Sequence, residues 1–89
     1  MTETITQDAP TVRVYSKPDC VQCVRTKLYL ESKSIDYIED DIMEPGNLAA
    51  AKELGHMAAP VVVAGDEHWA GFRPDKIDAL AARLESEGN

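Results

Sequence analysis

The sequence predicts an α/β fold in the order βαβαββα, a four-stranded mixed sheet flanked by three helices. Three observations carry this. Val12-Arg13-Val14-Tyr15-Ser16 is a short strand pattern followed at once by a turn and an apolar repeat of helical spacing. Val61-Val62-Val63-Ala64, Gly65-Asp66 and Glu67-His68-Trp69-Ala70 form a strand, a two-residue turn and a second strand. Ile77, Leu80, Ala81 and Leu84 recur at i, i+3, i+4 and i+7, the stripe of an amphipathic helix.

The elements follow from local chemistry. The polar residues 1 to 10 read as a loose tail closed by Pro10. Residues Thr11 to Ser16 form the first strand, and Pro18 ends it by forcing Lys17 into an extended conformation. Asp19 or Cys20 caps the first helix, whose inward positions are expected to be Val21, Val24 and Leu28. Ile35 to Asp40 alternates as a second strand. Pro45-Gly46-Asn47 opens a second helix over Leu48 to Leu54, with Gly55 as its left-handed C-terminal cap. The apolar run Val61 to Ala64 suits a fully buried strand. The closing helix starts at Pro74, a good first helical position, and runs to about Glu85. The first two strands must then be parallel with a right-handed crossover, and the hairpin makes the sheet mixed.

A chain of 89 residues is enough for one core, here assigned to residues 11–87. The formal charge of −7 leaves no basic surplus to neutralise phosphates, so nucleic acid is not an expected partner. No apolar run is long enough to span a bilayer and no cationic start precedes an apolar stretch, so a membrane partner is not expected and a cytoplasmic location is. In a reducing compartment, two nearby cysteines point to redox or metal chemistry more than to a structural staple.

Both cysteines lie in Cys20-Val21-Gln22-Cys23 at the strand-to-helix turn. Disulfide exchange needs an accessible thiolate, and a helix start supplies unpaired N–H groups and a dipole that favour one at Cys20. Lys17 and Arg25 support that charge and the neighbouring Asp19 opposes it, so a lowered but not extreme pKa is expected. Cys23 lies one turn further in, within bonding reach of Cys20. Cys20 is then the attacking sulfur and Cys23 the resolving one. Removing Cys23 should trap a mixed disulfide, and removing Cys20 should abolish attack. A tetrahedral zinc site from Cys20, Cys23, His56 and His68 is a rival, although the histidines are twelve apart rather than three to five. A metal or iron–sulfur carrier using the same cysteines is another, needing ligands from elsewhere.

The two motifs Cys20-Val21-Gln22-Cys23 and Trp69-Ala70-Gly71-Phe72-Arg73-Pro74-Asp75, with Ala59-Pro60-Val61-Val62 between them, resemble the NrdH-redoxins. These are glutaredoxin-like proteins of the thioredoxin superfamily that behave like thioredoxins, and the resemblance covers residues 11 to 85. It implies a glutaredoxin-type thioredoxin fold and a protein-disulfide oxidoreductase whose only redox group is the Cys20–Cys23 disulfide. It implies electron transfer to class Ib ribonucleotide reductase, with re-reduction by thioredoxin reductase at the expense of that partner's NADPH. A monomer is expected, since transient partners need the dithiol uncovered.

The resemblance also implies site residues. Pro60 would be a cis proline facing the dithiol, leaving the Ala59 backbone free to pair with an incoming peptide strand. Val21, Gln22, Trp69, Gly71, Phe72 and Arg73 would complete the partner-binding surface. Trp69 is either a platform there or a core residue of the hairpin. Gly71 is expected at positive φ where strand turns to helix. Arg73 is expected either to hydrogen-bond across its loop towards the first helix or to stand as an exposed charge. Phe72-Arg73-Pro74 replaces the small glycine- and aspartate-rich loop of glutathione-dependent glutaredoxins and is expected to obstruct their glutathione groove. Two departures stand out: Ala59, where the family carries a larger residue, and Ala70, where it commonly has Ser. An ordinary glutathione-dependent dithiol glutaredoxin is the alternative within the same chemistry.

Overall fold

In a computed structural model of the protein the described residues are 11–87, so the expected tail of residues 1 to 10 lies outside them. The elements are β1 (Val12–Ser16), α1 (Val21–Ser32), β2 (Ile38–Asp41), α2 (Pro45–Glu53), β3 (Val61–Ala64), β4 (Glu67–Ala70) and α3 (Pro74–Glu87). The sheet order is β2-β1-β3-β4. β1 pairs with β2 in parallel, and the β1–β3 and β3–β4 pairs are antiparallel. The architecture is the thioredoxin-like one, with order and mixed pairing as the patterning predicts.

Strand alternation divides the interior into two layers. Val12 and Val14 of β1, Val62 and Ala64 of β3, and Trp69 of β4 face α1 and α3, where they meet Leu30, Ile77 and Leu80. Tyr15 and Val61 face the other way and pack with Ile42, Ala51 and Leu48. The central strand β3 therefore carries apolar residues on both sides, which explains its unbroken valine run.

The first helix reverses the expectation. Its buried residues are Cys23, Thr26 and Leu30, whereas Val21, Val24 and Leu28 are 68%, 50% and 60% exposed. Both sets sit at i, i+3 and i+7, on opposite sides of the helix, so spacing alone fits either. The chain enters α1 from the end of β1 with Cys20 as N-cap, and that entry turns the cysteine face towards the sheet.

Other boundaries shift for local reasons. β2 begins at Ile38 rather than at residue 35, because Ile35 is drawn into the core beneath α1 before the strand starts. The turn before it holds Ser34 at a positive φ of 59°. α2 begins three residues earlier than the apolar pattern, with Pro45 in its first turn, and Gly55 follows its end at φ 88°. Among the described residues no helix is long and apolar enough to cross a membrane.

Candidate functional site

The parallel β1–β2 pair ends at one edge, and that edge also holds the start of α1. There Cys20 and Cys23 form a disulfide with Cα atoms 5.2 Å apart. Asp19 adopts a left-handed φ of 58°, a conformation that aspartate tolerates better than most residues, and this delivers Cys20 to the N-cap position. The Cys23 backbone N–H donates to Cys20 Sγ at 3.2 Å, and the Cys20 carbonyl accepts from Val24 N. Cys20 is half-buried and reachable, whereas Cys23 is 1% exposed behind it.

The two sulfurs sit in an open groove of about 870 Å³ walled by Lys17, Pro18, Val21, Val24, Lys27 and Asp41. The ends of both parallel strands contribute to it through Ser16, Glu39 and Asp41. Glu39 accepts from Lys27 Nζ at 2.7 Å and from Ser16 Oγ at 2.6 Å. Those two donors hold its carboxyl below the usual glutamate range, and Lys27 has the larger effect.

A second set of contacts ties the dithiol motif to the β4–α3 loop. Phe72 N donates to Gln22 Oε1 at 3.1 Å, and Gly71 N donates to the Pro60 carbonyl at 2.8 Å. The Ala59–Pro60 bond is cis, as the resemblance implies, and Gly71 has a φ of 85°. A side chain at 71 would also crowd Gln22, since its Cβ would stand 3.3 Å from Oε1. The Phe72 ring meets Tyr29 edge-on, with centroids 5.9 Å apart. Tyr29 is steadied in turn by donating to Asp78 Oδ1 of α3 at 2.7 Å.

Comparison with known proteins agrees with this geometry. The glutaredoxin family profile matches residues 12–69. The glutaredoxin-like protein NrdH of Escherichia coli K12 is 39% identical over 70 residues, covering 78% of this chain and 86% of that one. The protein of the same name from Lactococcus lactis MG1363 is 39% identical over 71 residues, covering 79% and 99%. The solved NrdH-redoxin of Escherichia coli superposes with a TM-score of 0.74 at 38% identity, over 79% of this chain and 93% of that chain. The chain belongs to the glutaredoxin family, among the NrdH-redoxins.

In this redoxin the residues singled out from sequence fall into three groups. Val21 walls the groove, and Gln22, Pro60, Gly71 and Phe72 meet through the contacts just described. Ala59 packs partly buried against the second core layer. Trp69 takes the core position rather than the platform, and Arg73 stands as an exposed charge. Trp69 is 4% exposed within the core layer under α1 and α3, so its ring supports the site from beneath rather than facing a partner. Arg73 makes no bond to α1: its guanidinium grips Asp75 with two hydrogen bonds of 2.9 and 3.1 Å. Asp75 sits in the first turn of α3, two residues away, and so near a carboxylate takes the cation before any contact across the loop can.

The four candidate zinc ligands do not converge. His56 and His68 contact each other at 2.8 Å, the cysteines bond to each other, and among the described residues no three metal-ligating side chains cluster. Tyr29, Lys27 and Glu39 also belong to the site. Nothing in the local pattern marks Tyr29. Lys27 and Glu39 were within reach of the topology, because parallel β1 and β2 must end beside the start of the helix between them.

Proposed function

We propose that this protein is the dithiol electron donor of a class Ib ribonucleotide reductase, re-reduced by thioredoxin reductase at the expense of NADPH. The observation that carries the reading is the pair itself, with a reachable sulfur at a helix N-cap and a buried sulfur bonded behind it. In the reduced state the Cys23 N–H and the start of α1 favour a thiolate at Cys20. That thiolate attacks the target disulfide, forms a mixed disulfide and releases one target thiolate, which takes a proton from solvent. Cys23, as its thiolate, then attacks Cys20 Sγ, closes the Cys20–Cys23 bond and releases the second target thiolate. Two electrons pass to the target. Thioredoxin reductase returns two from NADPH, so the redoxin needs no cofactor beyond its own disulfide, and the reading places it in the cytoplasm as a monomer.

The name of the relatives supports this choice over glutathione, since the solved Escherichia coli structure is described by its thioredoxin-like activity profile. The β4–α3 loop supports it too. Phe72 is braced by Tyr29 and Gln22, and Arg73 is locked to Asp75, so bulky residues stand fixed where the glutathione-dependent relatives are expected to be open. The deciding experiment is a coupled assay that follows NADPH consumption. Turnover is expected with thioredoxin reductase and oxidised class Ib ribonucleotide reductase, at least tenfold faster than with glutathione and glutathione reductase. Faster turnover with glutathione would assign the chain to the glutathione-dependent dithiol glutaredoxins instead.

A further inference from the structure

Two buried side-chain polar atoms have no hydrogen-bond partner among the described residues, Thr26 Oγ1 and Trp69 Nε1. Native proteins satisfy almost all such groups, and an exception points to a redox or catalytic role or to a bound water. Trp69 lies on β4, at the edge of the sheet. Thr26 lies on α1 three residues after Cys23, and both are on its buried side, 0% and 1% exposed. Residues three apart on a helix are neighbours, and side chains lean towards the helix N-terminus. The hydroxyl therefore stands one turn behind the resolving cysteine. A helical threonine has a ready acceptor in the carbonyl three or four residues back, here that of Cys23 or Gln22. Among the described residues Thr26 bonds to neither.

The state of the sulfur accounts for the unused hydroxyl. Cys23 is in a disulfide here, which has no S–H to donate and accepts only weakly. On reduction the same sulfur becomes a thiol that donates, or a thiolate that accepts a charge-assisted bond. A hydroxyl can accept from the first and donate to the second. At a position 1% exposed, a thiolate has almost no water to solvate it, so one internal donor counts for much.

We infer that Thr26 Oγ1 is the hydrogen-bond partner of the resolving sulfur, unpaired in the disulfide form and bonded to Cys23 Sγ in the reduced form. This role rests on the dithiol exchange proposed above and assigns a residue to its second step. In that step the Cys23 proton leaves to solvent through the groove that Cys23 lines. The thiolate attacks Cys20 Sγ and forms the Cys20–Cys23 bond. The bond from Cys20 to the target breaks, and the target sulfur departs with its electron pair. Thr26 keeps its own proton throughout and gives up its bond to Cys23 as the charge leaves that sulfur. The bond is gained on reduction and lost on oxidation, so it favours the dithiol form.

The test compares the full chain with Thr26→Val, which keeps the shape and drops the hydroxyl, and with Thr26→Ser, which keeps the hydroxyl. The first measurement is the equilibrium of each protein with dithiothreitol. It involves no protein partner, so it reads separately from the ribonucleotide reductase assay. Thr26→Val should hold the dithiol form about tenfold less favourably, a potential about 30 mV more negative, and Thr26→Ser should stay within about twofold of the unaltered protein. The second is a single turnover of reduced protein with a small aromatic disulfide, which frees one coloured thiolate on attack by Cys20 and another on resolution by Cys23. Thr26→Val should leave the first phase unchanged and slow the second roughly threefold near neutrality, since Cys23 loses thiolate fraction faster than it gains nucleophilicity. An unchanged equilibrium in Thr26→Val overturns the inference, because the hydroxyl is then satisfied without the sulfur, for instance by a water shared with Trp69 Nε1. So does an equal shift in Thr26→Ser, or an equal slowing of both phases.

Discussion

Thr26 shows how one atom departs from what its neighbours require. It lies on the buried side of α1, 0% exposed, and among the described residues its Oγ1 has no hydrogen-bond partner. A buried hydroxyl left unpaired costs on the order of 1–3 kcal/mol, while an apolar group of the same shape in its place costs little. Thr26→Val should therefore stabilise the protein by about 1 kcal/mol, read as a higher urea midpoint with an unchanged slope. An unchanged or lower midpoint would show that the hydroxyl finds a partner in solution. Asp19 makes the complementary point, since its left-handed backbone sets Cys20 at the cap while its neighbours in sequence carry no sign of it. The identities of the two sulfurs were legible from the Cys-x-x-Cys spacing, but the contrast between a reachable Cys20 and a buried Cys23 depended on which side of α1 met the sheet.

Between elements, the Lys27–Glu39–Ser16 cluster joins α1, β2 and β1 at the rim of the groove. Exposed ion pairs contribute little individually, but a carboxyl held low in the folded state ties stability to pH. Glu39 is ionised more readily folded than unfolded, so its contribution is present above the ordinary glutamate pKa of about 4.3 and fades as pH falls through the folded value. Glu39→Gln should accordingly be less stable than the unaltered protein near neutrality, and the two should converge on acidification below about pH 4. Denaturation midpoints measured across the acid range decide this, and a gap that stays constant with pH would refute it. At this scale β1, β3, β4 and α3 were legible because each carries its own period or turn signal. β2 was not bounded correctly, because Ile35 alternates with its neighbours like a strand residue but serves the core from a loop.

Across the whole molecule, Gly71 is where three distant pieces of chain meet. Its N–H binds the Pro60 carbonyl before β3, its neighbour Phe72 binds Gln22 of the dithiol motif, and its φ of 85° lets the chain turn from β4 into α3. Gly71→Ala adds a strained conformation and a Cβ 3.3 Å from Gln22 Oε1. A loss of about 1–2 kcal/mol is expected, with slower turnover of protein disulfides as the Gln22 contact gives way. Thermal unfolding and the coupled assay read the two effects separately. Full stability in Gly71→Ala would mean that the loop relaxes without strain. The same network explains why the paired motifs, some fifty residues apart, were informative together: they are the two sides of one contact.

The order of strands and helices, the hairpin, the closing amphipathic helix and the placing of both cysteines at a helix start were determined by the sequence itself. Each rests on residues within a few positions of one another, where periodicity, proline and glycine act locally. Tertiary packing alone decided which of two equally spaced stripes of α1 was buried, that Trp69 went inside, and that Arg73 stayed within its own loop. A helix does not choose its buried side until a sheet is there to cover it, and a long side chain takes whichever partner the folded chain brings nearest.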